Sequence, residues 1–161
     1  MKVPVSWLSE YVDLSGLSIK DLGDKLTFSG VEVEGIETIG FDKQENYVVA
    51  EVRACEPHPN ADRLRLCKVF DGTAELQIVC GAPNVAVGQK VCLAKLGAIL
   101  PDGSKLKKAK IRGVESFGML CAEDELGLSN RHEGLLVLDP ALPAGMPLTE
   151  VLPRPDTVFD L

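Results

Sequence analysis

The feature of this sequence that could bind a charged partner is a short run of basic residues. Residues 105–112 carry five basic side chains and no acidic one, and Lys108, Lys110 and Arg112 are spaced two residues apart within the run. In a β-strand this spacing predicts that all three side chains project from one face. Cations arranged in this way can follow a phosphate backbone and release its counterions. The same pattern is typical of an edge strand that lysines keep soluble, and the run by itself does not separate these interpretations.

The charge around this run has the opposite sign. The whole chain has a net charge of −7, residues 1–41 hold seven acids against three basic side chains, and residues 113–161 hold nine acids against two. An evenly spread charge of this sign would argue against a nucleic-acid partner. The distribution instead predicts an acidic protein that carries one basic stripe.

Residues that could support catalysis or hold a metal are few. Residues 113–118 have the spacing GxxSxG, one residue longer than a nucleophile elbow, and a turn that leads into a strand is the favoured interpretation. His58 and His132 both lie in polar segments, and the sequence gives no sign that either approaches a cysteine. Residues 123–125 are acidic but lack the alternating spacing of a calcium or magnesium loop, and they suit the N-terminus of a short helix. Neither phosphate-loop pattern, GxxxxGKS/T or GxGxxG, occurs, so the sequence predicts no catalytic centre and no metal site.

Composition indicates a globular chain from a reducing compartment. Apolar residues make up 45% of the chain and aromatic residues only 5%, which predicts a core built mainly from Val, Leu, Ile and Ala. No apolar run approaches the roughly 20 residues that a membrane helix needs, and the N-terminus lacks the apolar stretch of a signal peptide, so a cytoplasmic location is expected. The cysteines are odd in number, widely spaced and without a CxxC pair, which predicts buried thiols. They are Cys55, Cys67, Cys80, Cys92 and Cys121.

Residues 42–151 are predicted to form an all-β module. Short strand-like segments alternate with turn signals such as Asp71-Gly72 and residues 100–104, a pattern typical of a small barrel or sandwich. The predicted strands cover residues 47–54, 64–70, 76–80, 90–94, 107–112, 118–121 and 135–138.

Residues 1–41 and 152–161 are predicted to form a small, discontinuous α/β domain whose second half is truncated. Ser6 and Ser18 are expected to cap two short helices, and Gly30 is expected to end the second one. The segment after that glycine alternates apolar and acidic residues, which predicts a strand with one wet face. The last residues stop within a further predicted strand, so a longer parent chain is expected.

Four motifs follow one another within the predicted all-β module. They are HPNADRL at residues 58–64, IVCGAPNV at residues 78–85, IRGVESFGMLC at residues 111–121 and ELGL at residues 125–128. In this order they resemble the tRNA-binding OB-fold family, whose signature HPxAD-x-L the first motif matches. Members of that family include the C-terminal extension of methionyl-tRNA synthetase and the endothelial monocyte-activating polypeptide. Four motifs in the right order are specific enough to predict membership of this family.

The flanking segments narrow the resemblance. MKVPVSWL at residues 1–8, FSGVEVE at residues 28–34 and VLPRPD at residues 151–156 are similar to the bacterial phenylalanyl-tRNA synthetase β-subunit family. The resemblance implies an α+β fold in which a five-stranded OB-fold β-barrel is inserted into the small, discontinuous α/β domain. It also implies a parent enzyme that acts on tRNA(Phe) and is a heterotetramer with an α subunit. The parent is expected to use ATP and magnesium through domains that are not part of this chain. No cofactor is expected in the present chain.

The implied fold gives the basic stripe a candidate role. OB-folds bind nucleic acid on an open face with basic and aromatic side chains, so Lys108, Lys110 and Arg112 are predicted to contact the RNA backbone. Possible neighbours in this contact are Arg53, Arg63, Arg65 and Lys68. The aromatic residues of the module are Tyr47, Phe70 and Phe117. Because they are so few, phosphate contacts are predicted to dominate over base stacking, giving weak and salt-sensitive binding.

A second interpretation stays open at this point. The acidic balance and the scarcity of aromatic residues would also suit a structural or assembly module. Such a module would pack against other domains or the α subunit and make little direct contact with RNA.

Overall fold

The computed structural model describes residues 1–42 and 45–161 of the chain, which separates into two compact units. One unit comprises Met1–Gly40 with Arg154–Leu161, and the other comprises Phe41–Pro153. The strands are β1 (Lys2–Pro4), β2 (Gly35–Ile39), β3 (Tyr47–His58), β4 (Ala61–Phe70), β5 (Glu75–Cys80), β6 (Lys90–Lys95), β7 (Ala109–Ile111), β8 (Val114–Ser116), β9 (Gly118–Leu120), β10 (Val137–Leu138) and β11 (Asp156–Asp160). The helices are α1 (Val5–Leu8) and α2 (Ile19–Phe28), with short 3-10 helices at Asp124–Leu126 and Leu148–Glu150.

The smaller unit is built on a three-stranded antiparallel sheet in the order β1-β11-β2. Ser18 caps α2 as expected, since its hydroxyl accepts a hydrogen bond from the Asp21 N–H at 3.1 Å. The helix ends at a Schellman motif, in which Gly30 has a φ of 97° and the Val31 N–H donates to the Leu26 carbonyl at 3.0 Å. Both ends of α2 are therefore set by short-range sequence signals.

The start of α1 differs from the sequence expectation. Pro4 occupies the N-cap position with an extended backbone, so the helix begins at Val5 and Ser6 lies inside it. The hydroxyl of Ser6 donates to the carboxylate of Asp156 instead. The prediction that Ser6 caps this helix is wrong, because the fixed φ of proline already sets the entry into the first turn.

The larger unit is a nearly closed five-stranded barrel. β4 pairs with β3 on one side and with β5 on the other, while β6 pairs with β3 and with β9. The ring closes beside β5, where the Phe117 N–H donates to the Gln77 carbonyl at 2.9 Å. This ring of five short antiparallel strands is the arrangement of an OB-fold, so the predicted fold class is confirmed.

Two layers of buried side chains support the barrel. The interior contains fully buried aliphatic residues such as Val69, Ile78 and Leu93, together with Cys67 and Cys80. A second cluster lies outside the ring and includes Tyr47, Val49, Cys92, Leu126 and Leu148. Because this second layer includes side chains from residues 121–152, it fixes the irregular segment that follows β9.

Candidate nucleic-acid interface

The basic run ends in a tight hairpin and does not form one continuous strand. β7 and β8 are antiparallel and leave Arg112 and Gly113 as a two-residue turn. Both residues have positive φ, 50° for Arg112 and 85° for Gly113, as a type I′ turn requires. Lys108 precedes β7 and Arg112 follows it, so the expectation of one strand with three cations on a single face is wrong. We call residues 109–116 the basic hairpin.

The basic hairpin is fastened to the turn between β3 and β4. Nε2 of His58 lies 3.0 Å from the Ile111 carbonyl oxygen, and the Asn60 side-chain amide donates to the Arg112 carbonyl at 3.0 Å. Nδ1 of His58 accepts a hydrogen bond from the Asn60 N–H at 2.9 Å. Since Nδ1 is an acceptor, the neutral ring carries its proton on Nε2 and donates it to Ile111. The His58 ring is only 5% exposed, whereas Asn60 and Arg112 are exposed, so the histidine is the buried part of this link.

Four exposed cations lie on the segments that this link joins. Lys110 and Arg112 belong to the basic hairpin, whereas Arg63 and Arg65 lie on β4 a few residues after the turn. All four are exposed. Because the hairpin is held through the backbone carbonyls of its tip, the Arg112 side chain takes no part in the fastening. We call Arg63, Arg65, Lys110 and Arg112 the turn-end cations.

A second group of cations is connected by a polar network on the outer face of the barrel. Nζ of Lys68 donates to the Gln77 side-chain oxygen at 3.1 Å, and the Gln77 side-chain amide donates to the Glu115 carbonyl at 2.8 Å. The carboxylate of Glu115 in turn lies 3.3 Å from Nζ of Lys108. Lys68 on β4 and Lys108 before β7 are thus connected through Gln77 on β5 and Glu115 on β8. The acid at the centre of the network offsets part of their charge.

Cations cover the two aromatic rings near this network. The Arg53 guanidinium lies 3.9 Å from the centre of the Phe70 ring, and Nζ of Lys108 lies 5.7 Å from the centre of the Phe117 ring. Arg53 also sits 4.0 Å from the carboxylate of Glu51. The third aromatic residue, Tyr47, is buried and donates its hydroxyl to the Ile99 carbonyl at 2.6 Å. Tyr47 therefore cannot stack on a base, and Phe70 and Phe117 each have a cation of the protein itself near the ring.

Ser116, the serine of the GxxSxG segment, has a structural role. Its hydroxyl is buried, accepts a hydrogen bond from the Val79 N–H at 3.1 Å and donates to the Gly118 carbonyl at 3.1 Å. These bonds tie β8 and β9 to β5 at the closure of the barrel. A hydroxyl engaged in this way lacks the adjacent base that an activated nucleophile needs.

Residues 123–132, which we call the acidic loop, contain the densest cluster of potential metal ligands in the described part of the chain. One ligand atom from each of Asp124, Glu125 and His132 lies within 4.8 Å of the others. His132 bonds Asp124 at 2.9 Å, while Glu125 accepts the Ala122 N–H at 3.0 Å. The hydrogen bond with Asp124 raises the pKa of His132, and the same bond lowers the pKa of Asp124. These contacts organise the loop, because each side chain is already bonded within it.

A family model described as "Putative tRNA binding domain" matches residues 47–147. The chain belongs to this family. The matched range includes all seven predicted RNA-binding cations, the basic hairpin and the turn that fastens it.

Curated relatives extend the likeness beyond the tRNA-binding domain. The chain is similar over its whole length to the phenylalanine–tRNA ligase beta subunits of Geobacter sulfurreducens, at 50% identity, and Oceanobacillus iheyensis, at 47% identity. It spans 20% and 21% of their lengths. These matches confirm the predicted resemblance to the β-subunit family. Among solved structures, the MetRS related protein from Pyrococcus horikoshii is similar at 25% identity and a TM-score of 0.48, over 65% of this chain and 88% of that one.

Sequence reasoning missed the residues that organise this tRNA-binding domain. His58 and Asn60 were visible as part of a motif, but their hydrogen bonds to the basic hairpin join residues about fifty positions apart. Gln77 carried no signal in the sequence, because an isolated glutamine in a strand is common, and the motif that contains Glu115 did not indicate its pairing with Lys108. Among the described helices, none is long and apolar enough to cross a membrane.

Proposed function

We propose that this chain is part of a phenylalanine–tRNA ligase β subunit and that its barrel unit binds tRNA(Phe) mainly through phosphate contacts. One observation carries the proposal. Lys110 and Arg112 are exposed on a hairpin whose fastening uses backbone carbonyls and the neutral side chains of His58 and Asn60. The cationic side chains therefore remain available to an anionic partner.

The surroundings of these cations favour phosphate over bases as the group recognised. Tyr47 is buried, and Phe70 and Phe117 already face cations of the protein itself. Base recognition in RNA depends largely on stacking against open aromatic or guanidinium planes. Because the aromatic rings of the barrel unit are buried or face its own cations, charge is the main interaction that we expect, and binding should follow the salt dependence of counterion release.

The turn-end cations are better candidates for direct contact than Arg53, Lys68 and Lys108. Lys108 is paired with Glu115 and Arg53 lies beside Glu51, so phosphate must compete with acids already in place. Exposed ion pairs of this kind are weak and can exchange partners. We therefore place Lys110, Arg112, Arg63 and Arg65 at the centre of the contact and Arg53, Lys68 and Lys108 at its rim.

An assembly role is the alternative, and the charge distribution supports it. The net charge of −7 opposes broad association with RNA, and two of the seven predicted cations lie within 4.0 Å of acids of the same chain. In this alternative the barrel unit packs against other domains or the α subunit. In either case, we place the ATP- and magnesium-dependent ligation of phenylalanine in parts of the parent enzyme other than this chain.

A salt titration separates the two roles. The chain is titrated against fluorescently labelled tRNA(Phe) at several salt concentrations, and the double variant Lys110→Ala, Arg112→Ala is compared with wild type by anisotropy. Loss of both contacts should weaken binding and make the slope of log K against log salt shallower by about 1 for each contact.

The matched control is the double variant Lys20→Ala, Lys25→Ala, which removes the same charge from exposed positions of the smaller unit. It should bind tRNA nearly as wild type does. Absence of wild-type binding even at low salt would contradict the proposal and favour the assembly role. Equal losses in both double variants would show that only net charge matters and would contradict the assignment to the basic hairpin.

A further inference from the structure

Two cysteines face each other on β3 and β4, the two strands joined by the turn that contacts the basic hairpin. Cys55 on β3 lies directly opposite Cys67 on β4, and their sulfur atoms are 3.8 Å apart. Directly opposite residues of antiparallel strands have Cα atoms about 4.5–5.5 Å apart, which lies within the range that disulfides span. Shortening this distance to a disulfide bond of about 2.05 Å needs each sulfur to move by roughly 0.9 Å, so no strand has to shift.

The surroundings distinguish these two thiols from the others. Cys55 is partly exposed, whereas Cys67 is fully buried in the barrel interior. Cys80 belongs to the same interior cluster but lies opposite Arg65, and the residue of β5 opposite Cys67 is Ile78. Cys92 and Cys121 lie in the second cluster, outside the ring. The opposed pair thus combines one thiol that solvent reaches with one that is sheltered.

We propose that Cys55 and Cys67 form a reversible cross-strand disulfide when the protein meets a peroxide. In the first step the Cys55 sulfur attacks hydrogen peroxide, the O–O bond breaks, and Cys55 becomes a sulfenic acid with release of one water. In the second step the Cys67 sulfur attacks the Cys55 sulfur, the S–O bond breaks, and the hydroxyl leaves as a second water with the Cys67 proton. Two electrons pass from the thiol pair to the peroxide, and a dithiol reductant returns them.

The order of these steps follows from accessibility. Burial raises the pKa of the Cys67 thiol to about 12, so this group is protonated and sheltered from a reagent in solution. Cys55 is the group that the oxidant can reach. Cys67 then reacts only with a sulfur that the strand pairing already holds next to it, which gives the pair its selectivity over Cys80.

Peptide mapping tests this pairing, because trypsin separates all five cysteines. The expected peptides are residues 54–63 with Cys55, 66–68 with Cys67, 69–90 with Cys80, 91–95 with Cys92 and 113–131 with Cys121. The native 161-residue chain is treated with hydrogen peroxide, quenched, unfolded, alkylated and digested. The expected product is a linked pair of peptides 54–63 and 66–68, lighter by two hydrogen atoms than the separate peptides and released by dithiothreitol.

Three variants sharpen the result. Cys55→Ser and Cys67→Ser should each abolish the linked pair, while Cys92→Ser should leave its yield unchanged. In wild type, alkylation of Cys55 and Cys67 should fall together, with Cys92 and Cys121 still fully alkylated. The proposal is overturned if Cys80 is the partner instead, if Cys55 reaches sulfinic acid while Cys67 stays alkylatable, or if both thiols stay reduced in the folded protein.

Discussion

Two irregular segments of the barrel unit are held in place in opposite ways. The basic hairpin is fastened through its backbone, since the carbonyls of Ile111 and Arg112 accept hydrogen bonds from neutral side chains. The acidic loop is anchored by the buried side chain of Leu126, and its charged side chains are bonded locally, since His132 bonds Asp124 and Glu125 accepts a backbone N–H. As a result, the side chains of Lys110 and Arg112 stay exposed to a partner, while those of Asp124, Glu125 and His132 are already bonded.

The contrast between the two segments shows which property of a charged surface indicates a binding role. A cluster of like or complementary charges is common on any protein, and most exposed ion pairs contribute little to stability. What marks the basic hairpin is that its position does not depend on its charged side chains. Cations that bind phosphate are best left out of the protein's own contacts. A cation that already holds the fold together has to give up one partner to take another.

The largest expected effect comes from removing the fastening histidine. His58→Ala should lower the free energy of unfolding by about 3 kcal/mol, because it removes a buried ring and leaves the Ile111 carbonyl and the Asn60 N–H without their partner. The same variant should weaken tRNA binding, although it removes no charge from the neutral ring. Urea unfolding followed by the labelled-tRNA titration measures both effects.

The matched control is His132→Ala in the acidic loop, where the side chain is 70% exposed. This variant should change the unfolding midpoint and tRNA affinity little. Equal destabilisation by the two histidine variants would break the comparison, because it would mean that an exposed charged fastening supports the barrel unit as strongly as a buried neutral one.

Asp71 tests whether a charge can be a strong fastening when it is buried. Its side chain is 4% exposed, accepts hydrogen bonds from Thr73 and from the Ala74 N–H, and lies 3.4 Å from Nζ of Lys95. Burial by itself would raise the pKa of this carboxyl, but the hydrogen bonds from Ala74 and Thr73 and the charge of Lys95 outweigh it and lower the pKa to about 2.

The lowered pKa fixes the sign of the pH dependence. An acid whose folded pKa lies below its unfolded value stabilises the fold above the unfolded pKa, near 4, and loses that contribution as pH falls towards 2. The contribution should be about 2 kcal/mol. Urea unfolding of wild type and Asp71→Asn should give curves that converge between pH 5 and pH 2. A constant difference over that range would show that the charge of Asp71 is not what stabilises the turn.

A smaller effect is expected for Asn60→Ala, which removes the hydrogen bond to the Arg112 carbonyl. The loss should be about 1 kcal/mol, because the side chain is exposed and water can replace the donor. Affinity for tRNA should fall more clearly than stability, since the tip that carries Arg112 loses one of its two links to the turn. Asn84→Ala provides the contrast. It removes two hydrogen bonds to backbone atoms of Leu135, which does not belong to the basic hairpin. This variant should lower stability without changing tRNA affinity.

Much of the fold was predictable from the sequence, and the reason is local. The Asp71-Gly72 turn, the Ser18 cap and the Gly30 stop depend on neighbours within a few residues, as their observed hydrogen bonds do. The five-stranded barrel was predictable from the family motifs. The arrangement of the cations was not predictable in the same way.

The turn at Arg112 shows why the site was harder to predict than the fold. Arginine rarely adopts a positive φ, so the sequence indicated a strand that continues through residue 112. The conformation is held by Asn60, fifty-two positions away, and no local pattern reports such a contact. The pairing of Lys108 with Glu115 is likewise a product of the hairpin that the unexpected turn creates.

The smallest expected contribution to stability comes from the His132–Asp124 pair of the acidic loop. This contribution is lost at both high and low pH. The hydrogen bond with Asp124 raises the pKa of His132, so the stabilisation from this group is present below the unfolded pKa of about 6.5 and is lost as pH rises through the folded value. The bond to His132 lowers the pKa of Asp124, so the stabilisation from that carboxyl is lost as pH falls through its folded value. The pair is therefore most favourable between those two limits, in mildly acid solution.

NMR titration of the His132 ring protons gives the direct measurement. The midpoint should lie above the ordinary histidine value in wild type and should move down in Asp124→Asn, because that variant removes the negative charge that holds the proton. Binding of tRNA should be the same on both sides of the wild-type midpoint once the salt concentration is fixed, since none of the proposed contact residues belongs to the acidic loop. An unchanged midpoint in Asp124→Asn would mean that the loop is not fastened by this pair, and the contrast with the basic hairpin would then have to rest on the His58 link alone.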